Sequence, residues 1–154
     1  MKTLARPRDK AEILRRLRTV RHDSVREWGL MSAPQMICHL SDSFRAVLGR
    51  KAISPASGFM QRTAVKWIAL YLPLRWPVGI RTRPEIDQVL GNAATAPAEF
   101  ASDVAELEAL VELVTTQTRN LDWHPHPIFG RMSERAWMRW AYLHMDHHLR
   151  QFGA

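Results

Sequence analysis

The chain has 154 residues, 46% of them hydrophobic and 24% charged, and a formal net charge of +7. That length predicts a single domain over 1–154, able to bury roughly two thirds of its unfolded surface, and the composition excludes a disordered or fibrous chain. The longest apolar run, Ala64 to Leu74, is broken by Lys66 and Pro73. A bilayer span needs about 20 apolar residues, so the run predicts a buried or interfacial helix, and no membrane is expected as a partner.

The start, MKTLARPRDK, is basic but has no apolar stretch of the secretory kind, and Cys38 is the only cysteine. A lone thiol and no export signal predict a reducing cytoplasm. Residues 1–51 carry 12 Lys and Arg against 5 Asp and Glu, and the remainder carries 10 against 10. The whole excess therefore sits in the first third. Such a face can attract phosphates or another anionic surface, or simply be a solvated helix face. No aromatic residues are interleaved with its arginines, which argues against single-strand binding.

In chain order, a first helix is predicted over Asp9 to Arg21, with Leu14, Leu17 and Val20 or Arg21 inward. The second opens at MSAPQMICHL: Ser32 as N-cap, Pro34 in the first turn and Gln35 three residues on form a capping box. It should run to Leu48, with Gly49 as the C′ residue. A third helix fits Phe59 to Leu72 and stops at Pro73. The segment LRWPVGIRTRPEIDQVLGNAATA has no sustained period and reads as a long loop. A fourth helix should begin near Thr95 and Pro97. Phe100, Val104, Leu107, Val111 and Val114 form its inner seam, and Asp103, Glu106, Glu108 and Glu112 its acidic outer face. The loop NLDWHPHPIFGRM leads to Ser133, cap of a last helix ending at Gly153. Strand signals are lacking, so the expected fold is all-α: four main helices packed as a bundle, with a long loop after the third.

The last helix carries the densest chemistry. At 100° per residue, Trp137, Ala141, His144, His148 and Phe152 fall within about 80° of arc. His144 and His148 thus stand where a bundle normally places leucine. His147 lies at the edge of that stripe and Asp146 on the opposite side. Two imidazoles in a core are costly unless partnered, and residues i and i+4 on a helix are close enough to share one ion. A third ligand must come from another helix, and His39, at one margin of the second helix's apolar stripe, is the candidate. Three neutral histidines leave a position for water or substrate. The alternatives are a hydrogen-bonded core histidine at position 39, a stacked cluster, or a pH-sensitive contact. The zinc-protease pattern is excluded, because Met145 stands where a glutamate would follow the first histidine.

WGLMSAPQMICHLSDSFRAVLG, followed about a hundred residues on by HPIFG, a tryptophan-bearing helix start and HMDHHLRQFG, resembles the DinB-like superfamily, which includes YfiT-type proteins. The likeness runs from about Leu14 to Gly153 and is strongest to a branch named only as a domain of unknown function. It implies a four-helix bundle holding a divalent metal, Zn or Ni with Fe also suited, through His39, His144 and His148. It implies that His147, the position before the last ligand, does not bind metal, and that a homodimer forms, for which the apolar third helix could supply the surface. Characterised relatives are thiol S-transferases, isomerases or DNA-damage-inducible proteins, and this chain departs from them in the loop after Trp76 and in HPHPIFG.

The leading expectation is a metal-dependent enzyme that activates a water or a low-molecular-weight thiol against a small electrophilic substrate. Its catalytic residues are otherwise unassigned: His126, with Asp122, is a candidate general base or partner of a ligand. Trp137, Trp140 and Phe129 are candidate pocket wall, Arg150 and Gln151 surface or rim. Cys38 points off the stripe and is expected to be buried and structural. The alternatives are a non-catalytic, metal-stabilised helical module, touching nucleic acid through the basic first helix, and a bundle without metal.

Overall fold

The computed structural model describes residues 1–56, 58–80, 82–117 and 121–154, and among these the chain forms five α-helices and no strand. They are α1 (Pro7–Leu17), α2 (Ala33–Val47), α3 (Lys66–Tyr71), α4 (Phe100–Thr116) and α5 (Glu134–Arg150). Arg81 and Asn120, which belong to two of the expected loops, lie outside the described residues.

The two helices that carry the histidines are capped as their sequences require. The Gln35 N–H donates to Ser32 Oγ and the Ser32 N–H to Gln35 Oε1, a closed capping box at the start of α2. Gly49 follows the C-cap with φ +69°, a left-handed turn that only glycine adopts without strain. At the start of α5, Ser133 Oγ accepts from the Ala136 N–H, and Gly153 ends the terminal turn with φ +69°.

Two expected helices are corrected in their bounds, and a third in its winding. Helix α1 begins at Pro7 and ends at Leu17, short of Arg21. Beyond it, Thr19 Oγ1 donates to the Arg16 carbonyl (2.7 Å) and the Val20 N–H to the Leu17 carbonyl, tight turns that end the α pattern. Ile13 rather than Leu14 is the deeply buried residue beside Leu17. The third helical segment keeps its expected span, helical over 59–71, but winds through a π-helical turn, Gln61–Val65, before the six residues of α3. Leu72 is extended, as a residue before proline should be. Helix α4 starts at Phe100, not at Thr95, whose N–H and hydroxyl are bound to the Asp42 carboxylate and whose carbonyl, the group a helix would use, accepts from the Gln88 amide. Glu99 then caps α4 by accepting from the Ala101 and Ser102 N–H groups.

Helix α2 packs on α4 and touches α5, which also receives α1 and α3. Their shared core holds Ile13 and Leu17, Met36, Ile37, Leu40 and Phe44, Leu107, Val111 and Val114, and Trp137, Met145 and Leu149. Each such side chain contributes about 1.5–3 kcal/mol by leaving water. Phe100 and Val104 sit at its margin.

The acidic outer face of α4 meets basic partners from α1 and α2. Lys10 pairs with Glu112, Arg18 with Glu108, and Arg45 with Glu106, while Arg16 reaches Asp146 on α5 at 2.7 Å. Exposed pairs of this kind contribute only about 0–1 kcal/mol each. Their weight here is different: they engage much of the basic face that could otherwise have met an external polyanion. No helix among the described residues is long and apolar enough to cross a membrane.

Candidate metal centre

His39 projects from the middle of α2, and His144 and His148 from successive turns of α5. The α2–α5 contact brings one imidazole nitrogen from each to within 4.8 Å of the others. His39 Nε2 lies 3.2 Å from His144 Nε2. Ring centroids are 4.8 Å apart for His39 and His148 and 4.9 Å for His144 and His148. Two nitrogens bound tetrahedrally to one ion at about 2.0–2.1 Å are roughly 3.3 Å apart, so the closest pair already has the spacing of co-ligands.

The hydrogen bonds around the rings set their tautomers. His39 Nδ1 is 2.9 Å from the Ile86 carbonyl, which can only accept, so Nδ1 carries the proton and Nε2 keeps its lone pair. His148 Nδ1 lies 3.1 Å from Gln151 Oε1, and the Gln151 amide donates from Nε2 to the Trp28 carbonyl. That amide orientation makes His148 Nδ1 the donor and again frees Nε2. Two lone pairs are thereby left among the three rings: the one on His39 Nε2 takes either a proton from His144 Nε2, 3.2 Å away, or a cation shared by all three residues. His144 Nδ1 is buried with no hydrogen-bond partner among the described residues.

Burial lowers the pKa of all three rings, an effect partly opposed at His39 by the Ile86 carbonyl. At His144 and His148 the neighbouring imidazoles push further in the same direction. All three are therefore neutral near pH 7, the state that binds metal.

Tryptophans close the surroundings. Trp140 packs against His144 at 4.8 Å between centroids, and Trp76, from the loop after α3, lies about 6 Å from both His144 and His147. His147 is buried against Trp28 at 4.7 Å and is not one of the three converging residues. Trp137 and Phe129 are core residues beside His126.

His126 is buried, and its Nδ1 accepts from the Ile128 and Phe129 N–H groups, both at 3.1 Å. The ring thus holds the HPIFG turn, with its proton on Nε2 and its pKa lowered to about 3 by burial. Neither nitrogen is left with an open lone pair, and Asp122 is exposed. Cys38 is buried and its thiol is pushed up to about 12, chiefly by burial, so it stays protonated. Arg150 is half-buried and paired with Asp146.

Of the two groups that orient the rings, one escapes a reading of the sequence. A backbone carbonyl such as that of Ile86 has no sequence signature. Gln151 does have one: it stands one helical turn beyond His148, and at 2% exposure it is interior rather than rim.

No curated protein and no solved structure matches the chain. A family model, described as protein of unknown function (DUF1569), matches residues 5–154. The chain accordingly belongs to that family, nearly along its whole length.

Proposed function

We propose that the chain is a single DinB-like helical domain and a divalent-metal-dependent enzyme in which His39, His144 and His148 hold the ion. The observation that carries this reading is the convergence of three neutral, buried imidazoles from two helices, with Nδ1 committed elsewhere on two of them. The resemblance of the α2 and α5 sequences to DinB-like proteins supports the same three residues. All-imidazole donors suit Zn or Ni, and also Fe. A bound divalent ion supplies Lewis-acid activation of a water or a low-molecular-weight thiol near neutral pH. Three protein ligands leave room for that molecule, as catalytic rather than structural sites do. Hydrolysis of a small electrophile, or transfer of a thiol to it, is the chemistry this supports.

The chain's own residues hold the geometry. The Ile86 carbonyl and Gln151 fix two tautomers, burial keeps the rings unprotonated, and Trp76 and Trp140 limit the access of bulk water.

Protein purified without a tag or chelator should contain about one equivalent of divalent metal per chain by elemental analysis. His39→Ala and His148→Ala should each abolish it while the helical circular dichroism is retained. A folded wild-type chain that contains no metal and takes up neither Zn nor Ni would reject the proposal.

A subtler expectation concerns Gln151. Gln151→Leu strands the Trp28 carbonyl and removes the acceptor from His148, and losing such a partner typically weakens metal binding 10–100-fold. Competition with a chromophoric chelator measures this. An unchanged affinity would show that Gln151 does not orient the ligand.

A further inference from the structure

Of the 14 large hydrophobic residues exposed among the described residues, nine fall between positions 59 and 80. Met60, Ala64, Trp67, Ile68 and Tyr71 recur at steps of four, three, one and three along the π-turn and α3, and all are exposed. Phe59 (80% exposed), Leu74 (60%) and Val78 (61%) are exposed too, on either side of the strip along the chain. Scattered exposed leucines are ordinary, but a contiguous apolar strip marks a surface that something covers.

The strip is presented, not loose. On its inner side Leu70 is buried, and the Arg139 guanidinium donates from Nε to the Leu70 carbonyl at 2.9 Å. Lys66 Nζ donates to the Arg131 carbonyl. Helix α3 is thereby fixed to α5 with its apolar face outward.

Charge decides what covers it. Arg62, Lys66 and Arg75 lie within the apolar segment 59–80, which has no Asp or Glu. A second copy docked on this face across a two-fold axis would bring two faces of like charge together. An anionic headgroup layer complements them instead. Trp67, Tyr71 and Phe59 between basic residues are the side chains that settle at the boundary of headgroup and acyl chain.

We infer that the outward face of residues 59–80 seats the protein on an anionic lipid surface, α3 lying in the interfacial plane. This differs from crossing a bilayer, which the short apolar run excludes. Trp76, two residues from both Leu74 and Val78, packs against His144 and His147, so a surface on this face lies beside the cover of the histidine cluster.

The test is co-sedimentation of the full chain with vesicles of phosphatidylcholine alone or with about one third phosphatidylglycerol, at low and high salt. Binding should require the anionic lipid and weaken with salt. Trp67→Ser with Ile68→Ser, and separately Lys66→Gln with Arg75→Gln, should each weaken it about tenfold or more. Trp67, Ile68 and Arg75 are exposed and Lys66 is half-buried, and circular dichroism checks that both variants fold. Failure to sediment with anionic vesicles, or sedimentation that neither variant alters, overturns the inference. So does a lipid-free dimer that Trp67→Ser dissociates, which would assign the face to a second copy.

Discussion

Lowering the pH of the metal-free protein from 7 to 5 is expected to remove several kcal/mol of its stability. Five histidines, His39, His126, His144, His147 and His148, are held below their ordinary value, in each case chiefly by burial. In the unfolded chain they titrate near 6.5. Below that pH the unfolded state binds protons that the folded state refuses, so stability falls as pH falls through 6.5 and the loss continues down to the folded pKa. His126, with a folded pKa of about 3, accounts for about 2 kcal/mol between pH 7 and pH 5 on its own. The other four act with the same sign. Carboxylates do not confuse this window. Burial pushes the Asp42 and Asp146 carboxyls up, but hydrogen bonds from Thr95 and Arg45, and from Arg16 and Arg150, more than offset it. Their net pKa is lowered, so their own loss begins only under more acidic conditions. Urea unfolding at pH 7, 6 and 5 in the presence of a chelator is the measurement. A total stability of about 5–15 kcal/mol is usual for a domain, so the transition midpoint should drop steeply. An unfolding free energy that is flat between pH 7 and pH 5 would contradict the buried, neutral state of these rings.

The parts of this molecule legible in its sequence are those set by neighbours in the chain. The capping box at Ser32 and Gln35, the glycine stop at Gly49, the Ser133 cap and the i,i+4 pair of His144 and His148 all depend on contacts within one or two helical turns. The inner seam of α4 follows from periodicity alone. The failures come from contacts and backbone geometry, distant or local, that no residue type announces. Nothing near Thr95 says that its N–H is taken by a carboxylate 53 residues away, so α4 reads as starting too early. The π-turn at Gln61–Val65 keeps the helical hydrophobic period, so the span 59–71 is legible while the change of winding inside it is not. His126 shows the same limit at a site. An HPHP loop histidine reads as a general base, yet its Nδ1 is taken by the two N–H groups that follow it in the turn. The apolar run 64–74 is visible in the sequence, but whether it faces the core or solvent depends on what packs over it.

Asp42→Ala is expected to be the most damaging single substitution outside the histidines, and to weaken metal binding from a distance. Asp42 is fully buried and accepts from the Thr95 N–H (2.8 Å), the Thr95 hydroxyl (2.6 Å) and the Arg45 guanidinium (2.8 Å), with Lys51 at 3.2 Å. Removing it leaves the part-buried Thr95 N–H and Lys51 without their carboxylate and Arg45 with Glu106 alone, a change that costs about 3–5 kcal/mol. For a chain of this size that is a melting temperature lower by roughly 10 °C. The same carboxylate fixes the segment that orients His39. Thr95 is tied to Asp42, the Gln88 amide donates to the Thr95 carbonyl, Gln35 donates to the Gln88 carbonyl, and two residues before Gln88 the Ile86 carbonyl holds His39 Nδ1. Releasing Thr95 loosens that chain of contacts at its far end, so the folded variant should bind metal more weakly by about tenfold or more. Asp42→Asn keeps an oxygen for the Thr95 N–H but loses the charge that Arg45 and Lys51 face, and should fall between wild type and alanine in both respects. Thermal unfolding and metal titration of the same preparations separate the two roles. Destabilisation with unchanged metal affinity would show that Asp42 braces the fold alone, whereas a parallel decline in both would show that the 84–95 segment carries rigidity from α2 back to its own histidine.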